Sequence, residues 1–121
     1  VKKKIRVAQY GLGPIGSSIV RLMRQKDSLE IVGAIDKDAA KAGRDLGDVV
    51  GAPDAPWGVL ISPDAASVLE KPLDVIIHST SSYLTSVMNQ LLECIAAGCC
   101  VVSTCEELAY PFRKHPDLSQ Q

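Results

Sequence analysis

No apolar run in this chain is long enough to cross a bilayer. The amino-terminal segment has no signal-peptide core either, because Arg6 and Gln9 interrupt its short apolar stretch. An excess of one charge is also missing: 13 basic and 14 acidic residues leave a formal net charge of −1. That balance excludes nonspecific attraction to nucleic acid or to an anionic membrane surface. The basic start, Lys2 to Lys4, reads as a solvated terminus. There is no internal repeat and no low-complexity linker. The expectation is a cytoplasmic domain with no nucleic-acid or membrane partner.

What is present is a chain of 121 residues, 46% of them hydrophobic, enough for one domain with a buried core. Residues 5–10 read as a strand. Residues 15–25 read as a helix with Ile15, Ile19, Leu22 and Met23 on its apolar face. Residues 30–36 read as a second strand, so a right-handed parallel crossover is implied. Residues 37–43 fit a short helix, and the following stretch to residue 58 reads as loop and short helical turns. Residues 59–62 read as a third strand and 63–70 as a short helix with Ser62 as its N-cap. Residues 73–79 are almost continuously apolar, as a central strand covered on both faces would be. Residues 83–97 form the clearest helix, with Leu84, Val87, Met88, Leu91, Leu92 and Ile95 facing inward and Gly98 closing it. Residues 99–104 read as a fifth strand. A helix starts at Glu106 and stops at Pro111, and residues 112–121 show no element.

The most informative motif lies between the first strand and the first helix. Gly11, Gly13 and Gly16 form GLGPIG, and Asp36 ends the next apolar run, 20 residues beyond Gly16. This is the pattern of a dinucleotide-binding βαβ unit. Gly11 allows the tight turn, Gly13 leaves room for a pyrophosphate, and Gly16 lets the helix pack against the sheet. Pro14 suits the first helical turn, where its missing N–H costs nothing. The N–H groups around Pro14, Ile15 and Gly16 and the helix dipole then favour phosphate charge. Asp36 is placed to accept hydrogen bonds from ribose hydroxyls and to repel a 2′-phosphate, which favours NAD over NADP. Lys37 follows immediately and offers a cation for that phosphate, or is simply a surface lysine. The fold class predicted is α/β, a Rossmann-type parallel sheet with helices on both faces.

Ligands of such sheets bind beyond the carboxyl ends of the strands. Ser79 and Thr80 follow the central strand and are candidates for the nicotinamide-ribose side; Ser81 or Ser82 reads as a helix cap. His78 precedes them in an apolar strand and reads as a hydrogen-bonded structural histidine rather than a base. His115 reads as exposed. Ser103 and Thr104 occupy the same edge after the fifth strand and are further cofactor candidates. Cys105 and Glu106 come next and are candidates for the substrate side. Glu106 and Glu107 would hold an amine-bearing substrate or simply favour the positive end of a helix. Cys94, Cys99, Cys100 and Cys105 lack close C-x-x-C spacing and fall on a helix and on opposite faces of a strand, so free thiols are expected and no metal.

GLGPIG, IVGAIDKDAAKAGRDLG, IIHSTSSYL and CCVVSTCEELAYPFRKHP together resemble the dihydrodipicolinate reductase-like NAD(P)-dependent dehydrogenases, and among them the diaminopentanoate dehydrogenases. The last two segments are the more specific ones. The resemblance implies NAD(P)-dependent oxidative deamination of a small diamino acid from ornithine catabolism, and a homo-oligomer at full length. It places Gly11, Gly13 and Gly16 at the pyrophosphate, Asp36 at the adenosine ribose, and Ser79 and Thr80 beside the nicotinamide ribose. Ser103 and Thr104 fall where the reductases carry a threonine-rich turn ending in glycine; Cys105 departs from that ending. Such enzymes carry a second domain, so this chain is expected to be a nucleotide-binding fragment with little turnover alone. Two other readings compete: an NAD-binding regulatory module without hydride transfer, and a related reductase or semialdehyde dehydrogenase, the latter using Cys105.

Overall fold

The computed structural model describes residues 3–109 and 115–121. Five parallel strands form one sheet: β1 (Ile5–Tyr10), β2 (Leu29–Ile35), β3 (Ile61–Ser62), β4 (Val75–His78) and β5 (Cys100–Ser103). Their spatial order is β3-β2-β1-β4-β5. The chain therefore reverses its direction of travel across the sheet between β1 and β4, and a crevice opens there. In register, Tyr10 lies beside His78 and His78 beside Ser103, so three polar-capable positions line up at one edge. This is the Rossmann-type sheet expected from the strand and glycine pattern.

Helices cover both faces. On one face, α1 (Pro14–Arg24) packs Val20 and Met23 against Val7, Ala34 and Ile61. The short helix α2 (Leu46–Val49) adds Leu46 to the same core, with Val50 just beyond it. On the other face, α3 (Ala65–Leu69) packs Ala65 and Val68 against Ala8, Ile35 and Ile76. There α4 (Leu84–Ala96) contributes Cys94. Gly33 of β2 is required by this packing, since a Cβ there would stand 2.7 Å from Val68 Cγ1. Among the described residues no helix is long and apolar enough to cross a membrane.

Several local expectations are corrected. The inward stripe of α1 is Gly16, Val20 and Met23, while Ile15 and Leu22 are 63% and 59% exposed. The close seat of Gly16 against the sheet rotates the helix away from the stripe that periodicity favours. In α4, Ile95 is exposed and Cys94 takes the inward position. Residues 37–43 form turns rather than a helix. Asp64, not Ser62, caps α3: its carboxylate accepts from Ala66 N at 3.1 Å, while Ser62 Oγ accepts from Asp64 N in the preceding turn. Glu106–Ala109 is a 3-10 turn, and the expected stop at Pro111 lies outside the described residues. A short helix, α5 (Pro116–Ser119), occupies a stretch that reads as structureless in sequence.

The segment between β2 and β3 is held by one carboxylate. Asp45 accepts from Trp57 N at 2.9 Å, Gly58 N at 2.8 Å and Asp48 N at 3.3 Å. These donors, Trp57 N foremost, hold its carboxyl below the ordinary range. Trp57 is stacked under Arg24 of α1, whose guanidinium lies 4.6 Å from the ring centroid. The four cysteines are free thiols; Cys94, Cys99 and Cys105 are buried and Cys100 is exposed. Burial pushes the Cys94 thiol up to about 11, so it stays protonated.

Candidate functional site

A cleft of about 220 Å³ opens where β1 hands over to α1, beside the ends of β2 and β4. Its walls include Gly11, Leu12, Gly13, Asp36, Ser79 and Thr80. The three glycines do different things. Gly11 has φ +101°, a conformation that L side chains rarely adopt, and a Cβ there would sit 2.6 Å from Ser79 O. A Cβ on Gly16 would overlap the Gly11 carbonyl oxygen. At Gly13, which lines the cleft, a Cβ would meet nothing within 4 Å. Gly13 is also the N-cap of α1, with no side-chain cap and no acidic residue in the first turn. The free N–H groups of that turn are thus available to an anion. Pro14 and Ile15 stand exposed at this helix start.

The loop is fixed by Gln9 of β1 and by Asp36 and Lys41 from the segment after β2. Gln9, fully buried, donates from Nε2 to Gly11 O at 2.9 Å and to Ser79 Oγ at 2.7 Å. Gly11 N donates to Ile35 O at 2.8 Å. Asp36 Oδ2 accepts from Leu12 N and Oδ1 from Asp38 N, each at 2.8 Å. Each carboxylate oxygen still has a lone pair for a ribose hydroxyl. Lys41 Nζ donates to Leu12 O at 2.8 Å, so the N–H and the carbonyl of Leu12 are both held by side chains from beyond β2. Lys37 is exposed on the cleft wall.

At the end of β4 a polar chain centred on a buried histidine runs from the cleft to β5. His78 is fully buried and lies edge-on to Tyr10, with ring centroids 5.5 Å apart. Its Nε2 faces Gln90 Oε1 at 2.7 Å and its Nδ1 faces Ser103 Oγ at 2.8 Å. Thr80 Oγ1 donates to Gln90 Oε1 at 2.7 Å, and Cys105 N donates to Ser103 Oγ at 3.0 Å. One tautomer satisfies all of these. Nε2 carries the proton for the Gln90 oxygen, and Nδ1 accepts the Ser103 hydroxyl proton. Burial holds His78 below its ordinary range, so the ring is neutral near pH 7. Tyr10, also on the cleft wall, is pushed up to about 12, chiefly by burial, and keeps its proton.

The remaining sequence candidates divide. Ser79 and Thr80 stand in the cleft. Ser103 is committed to His78 and the Cys105 amide, whereas Thr104 is exposed and donates its N–H to His78 O at 2.9 Å. Cys105 is not brought to the cleft: it is 3% exposed and packs with Leu84, Val87 and Leu91. That burial removes the thiol from any nucleophilic role at this edge. Glu106 is exposed and accepts from Ser82 Oγ at 3.3 Å. Glu107 differs: its Oε1 accepts from Leu84 N at 2.8 Å, at the start of α4, and faces His115 Nε2 at 3.2 Å. His115 is therefore partly buried against Glu107 rather than exposed. Sequence reasoning did not single out Gln9, Lys41 or Gln90, whose partners are distant in the chain. Among the described residues no group of three or more His, Cys, Asp or Glu is placed to hold a metal ion.

A 2,4-diaminopentanoate dehydrogenase of Acetoanaerobium sticklandii is 25% identical over 120 residues, which are 98% of this chain and 34% of that protein. The solved structure of an amine dehydrogenase from Mycobacterium smegmatis superposes with a TM-score of 0.91 at 38% identity, covering 98% of this chain and 35% of that one. The WlbA dehydrogenase from Bordetella pertussis, solved with NADH and UDP-GlcNAcA, matches with a TM-score of 0.64 at 26% identity, over 84% of this chain and 29% of that one. The chain thus spans about a third of the length of the curated relative it matches. Residues 5–105 match the family described as dihydrodipicolinate reductase, N-terminus, and the chain belongs to that family.

Proposed function

We propose that this domain binds NAD or NADP and is the nucleotide half of an oxidoreductase that oxidatively deaminates a small diamino acid. The observation that carries the cofactor reading is the open space at Gly13, at an uncapped helix N-terminus across from Asp36. A Cβ would fill the place where a pyrophosphate must approach. In this reading the first-turn amides of α1 hold the pyrophosphate and Asp36 holds the adenosine ribose. Lys37 borders that ribose, and Ser79 and Thr80 face the nicotinamide ribose. Ser103 acts through His78, whose chain of hydrogen bonds orients Gln90 and Thr80 on the cleft wall, and Thr104 closes that edge.

The chemistry that such a cofactor supplies is acceptance of hydride from a C–H beside an amine; the imine left behind hydrolyses to a ketone and ammonia. The substrate assignment is supported by the likeness to a 2,4-diaminopentanoate dehydrogenase and an amine dehydrogenase. Glu106 is the substrate-side carboxylate of choice, because it is exposed while Glu107 is engaged at the start of α4. A negative charge there would hold a substrate ammonium. Completion of the substrate site and subunit pairing into a homo-oligomer belong to the rest of the full-length protein. The test is NAD(P)H formation by that protein with 2,4-diaminopentanoate and related amines, beside Glu106→Gln. Turnover with a diamino acid and a loss of ten-fold or more in kcat/KM for Glu106→Gln would support the reading. Tight nucleotide binding with no oxidation of any amine would replace it with a regulatory module.

A further inference from the structure

Gln9 of β1 is fully buried, and the two ends of its amide are treated differently. Both N–H bonds of Nε2 are engaged, one with Gly11 O at 2.9 Å and one with Ser79 Oγ at 2.7 Å. Its Oε1 is equally buried and has no hydrogen-bond partner among the described residues. Turning the amide over would not repair this, because Oε1 would then face the Gly11 carbonyl, and two acceptors repel. An unpaired buried acceptor is costly, and local violations of this kind concentrate at functional sites. Ser79 is where the donors take effect. It lines the cleft, and its Oγ lies 2.9 Å from the position of a Cβ on Gly16, in the first turn of α1. The Ser79 oxygen accepts from Gln9, so its own proton needs a separate acceptor. Among the described residues the acceptor within reach is Gly11 O at 3.5 Å, beyond the usual range of about 2.5–3.0 Å for such a bond. That oxygen already accepts from Gln9.

We propose that Gln9 is a positioning residue of the cleft: by donating to Ser79 Oγ it turns the Ser79 hydroxyl proton outward, onto an oxygen of the bound nucleotide. The proposal rests on the cofactor reading given above. A serine hydroxyl rotates to suit its neighbours. One that already accepts a short bond from a fixed amide is left as a donor facing the cleft. The same amide holds the Gly11 carbonyl and keeps that oxygen from recapturing the proton. The glycine turn and the loop after β4 are therefore set before the ligand arrives, and Ser79 donates without reorienting. Without the amide, Gly11 O becomes the acceptor for Ser79, and the proton turns inward. Gln9 thus acts on the ligand through Ser79, although it is not itself among the cleft walls.

The experiment measures dissociation constants for NADH and NADPH with the full-length protein, its Gln9→Met and Ser79→Ala variants and the double variant. Folding of each is checked by circular dichroism. Methionine fills a similar space with no amide donor. Ser79→Ala should weaken both nucleotides about tenfold, between the worth of a neutral hydrogen bond and that of one to a charged oxygen. Gln9→Met should weaken both about threefold to tenfold. The double variant should bind within about twofold of Ser79→Ala, because the two residues act as one unit. The same titrations with ADP, which has the pyrophosphate and no nicotinamide ribose, locate the accepting oxygen. A loss shared by ADP places it on the pyrophosphate and a loss confined to the dinucleotides places it on the nicotinamide ribose; either supports the donor role. Losses that multiply in the double variant would show that Gln9 merely shapes the loop, and would overturn the proposal. So would unchanged affinity in either single variant, and Ser79→Ala decides the matter even if Gln9→Met does not fold. A folded wild-type protein that binds neither dinucleotide would overturn the cofactor reading itself, and the proposal with it.

Discussion

Replacing each glycine of the loop by alanine separates folding from ligand binding. Gly13 has φ −71°, which alanine adopts freely, and its new Cβ would meet no protein atom within 4 Å. Gly13→Ala should therefore change stability by less than about 0.5 kcal/mol. Gly13 lines the cleft, so in the proposed reading the added methyl group competes with the pyrophosphate for space. Displacing that group forfeits one or two hydrogen bonds to a charged partner, at about 1.5–3 kcal/mol each. At 1.4 kcal/mol per factor of ten, affinity for NADH should fall roughly 10- to 100-fold or more. Gly16→Ala is the opposite case. Its Cβ would overlap the Gly11 carbonyl oxygen and stand 2.9 Å from Ser79 Oγ, so α1 must move off the sheet. Overpacking of this kind costs about 1–3 kcal/mol, which for a domain of this size lowers Tm by roughly 3–6 °C per kcal/mol. Thermal unfolding and calorimetric titration of the same preparations provide both readouts. Unchanged nucleotide affinity in Gly13→Ala would refute the pyrophosphate placement. A Tm loss in Gly13→Ala as large as in Gly16→Ala would refute the reading of open space.

Two further outcomes are expected. Asp36→Ala should weaken NADH about 10-fold or more by removing the ribose acceptor, and weaken NADPH less, since Lys37 on the cleft wall then faces less opposing charge; equal losses for both nucleotides would contradict the ribose role. For His78 the folded pKa lies below the unfolded value of about 6.5, because burial disfavours the charged ring. Its contribution is therefore fully present above about pH 6.5 and is lost as pH falls through the folded value, by at most about 1.4 kcal/mol per pH unit. Urea unfolding between pH 7.5 and 5.5 should show a steeper acid loss in the wild type than in His78→Asn. Identical slopes would remove His78 as the cause.

The part of the site that was legible in sequence is the part that is contiguous in sequence. β1, the glycine turn, α1 and β2 follow one another directly, so turn chemistry and strand character locate Gly13 and Asp36 without any knowledge of the fold. Ser79 and Thr80 were legible through a rule about strand ends rather than through their own chemistry. The residues that fix the loop were not legible, because each acts across a long stretch of chain. Gln9 reaches Ser79, Lys41 reaches Leu12, and Gln90 reaches His78. A polar residue in a strand or helix has no local mark that distinguishes such a partner from solvent. The misplaced stripe of α1 has a related origin: periodicity measures hydrophobicity along one helix, whereas Gly16 is seated by the Gly11 carbonyl and by Ser79 from beyond β4. Cys105 follows Ser103 and Thr104 along the chain but turns inward, because the amide that leads into it is bonded to Ser103 Oγ and its side chain joins the packing of α4.

The single tryptophan of the chain stands far from these events in chemical terms. Trp57 shares none of the walls of the glycine-loop cleft; its ring lies under Arg24 and its Nε1 donates to Asp54 at 2.8 Å. Arg21 and Arg24 come from the last turns of α1, and Arg21 also holds Val50 O at 2.9 Å. The helix whose first turn faces the cleft is thus moored at its other end to the loop that carries the only indole. Optically, the protein divides into two channels. Indole emission reads the mooring of α1, and the emission of a bound reduced nicotinamide reads the cleft, so a variant that loses one signal and keeps the other declares which end of the helix it has disturbed.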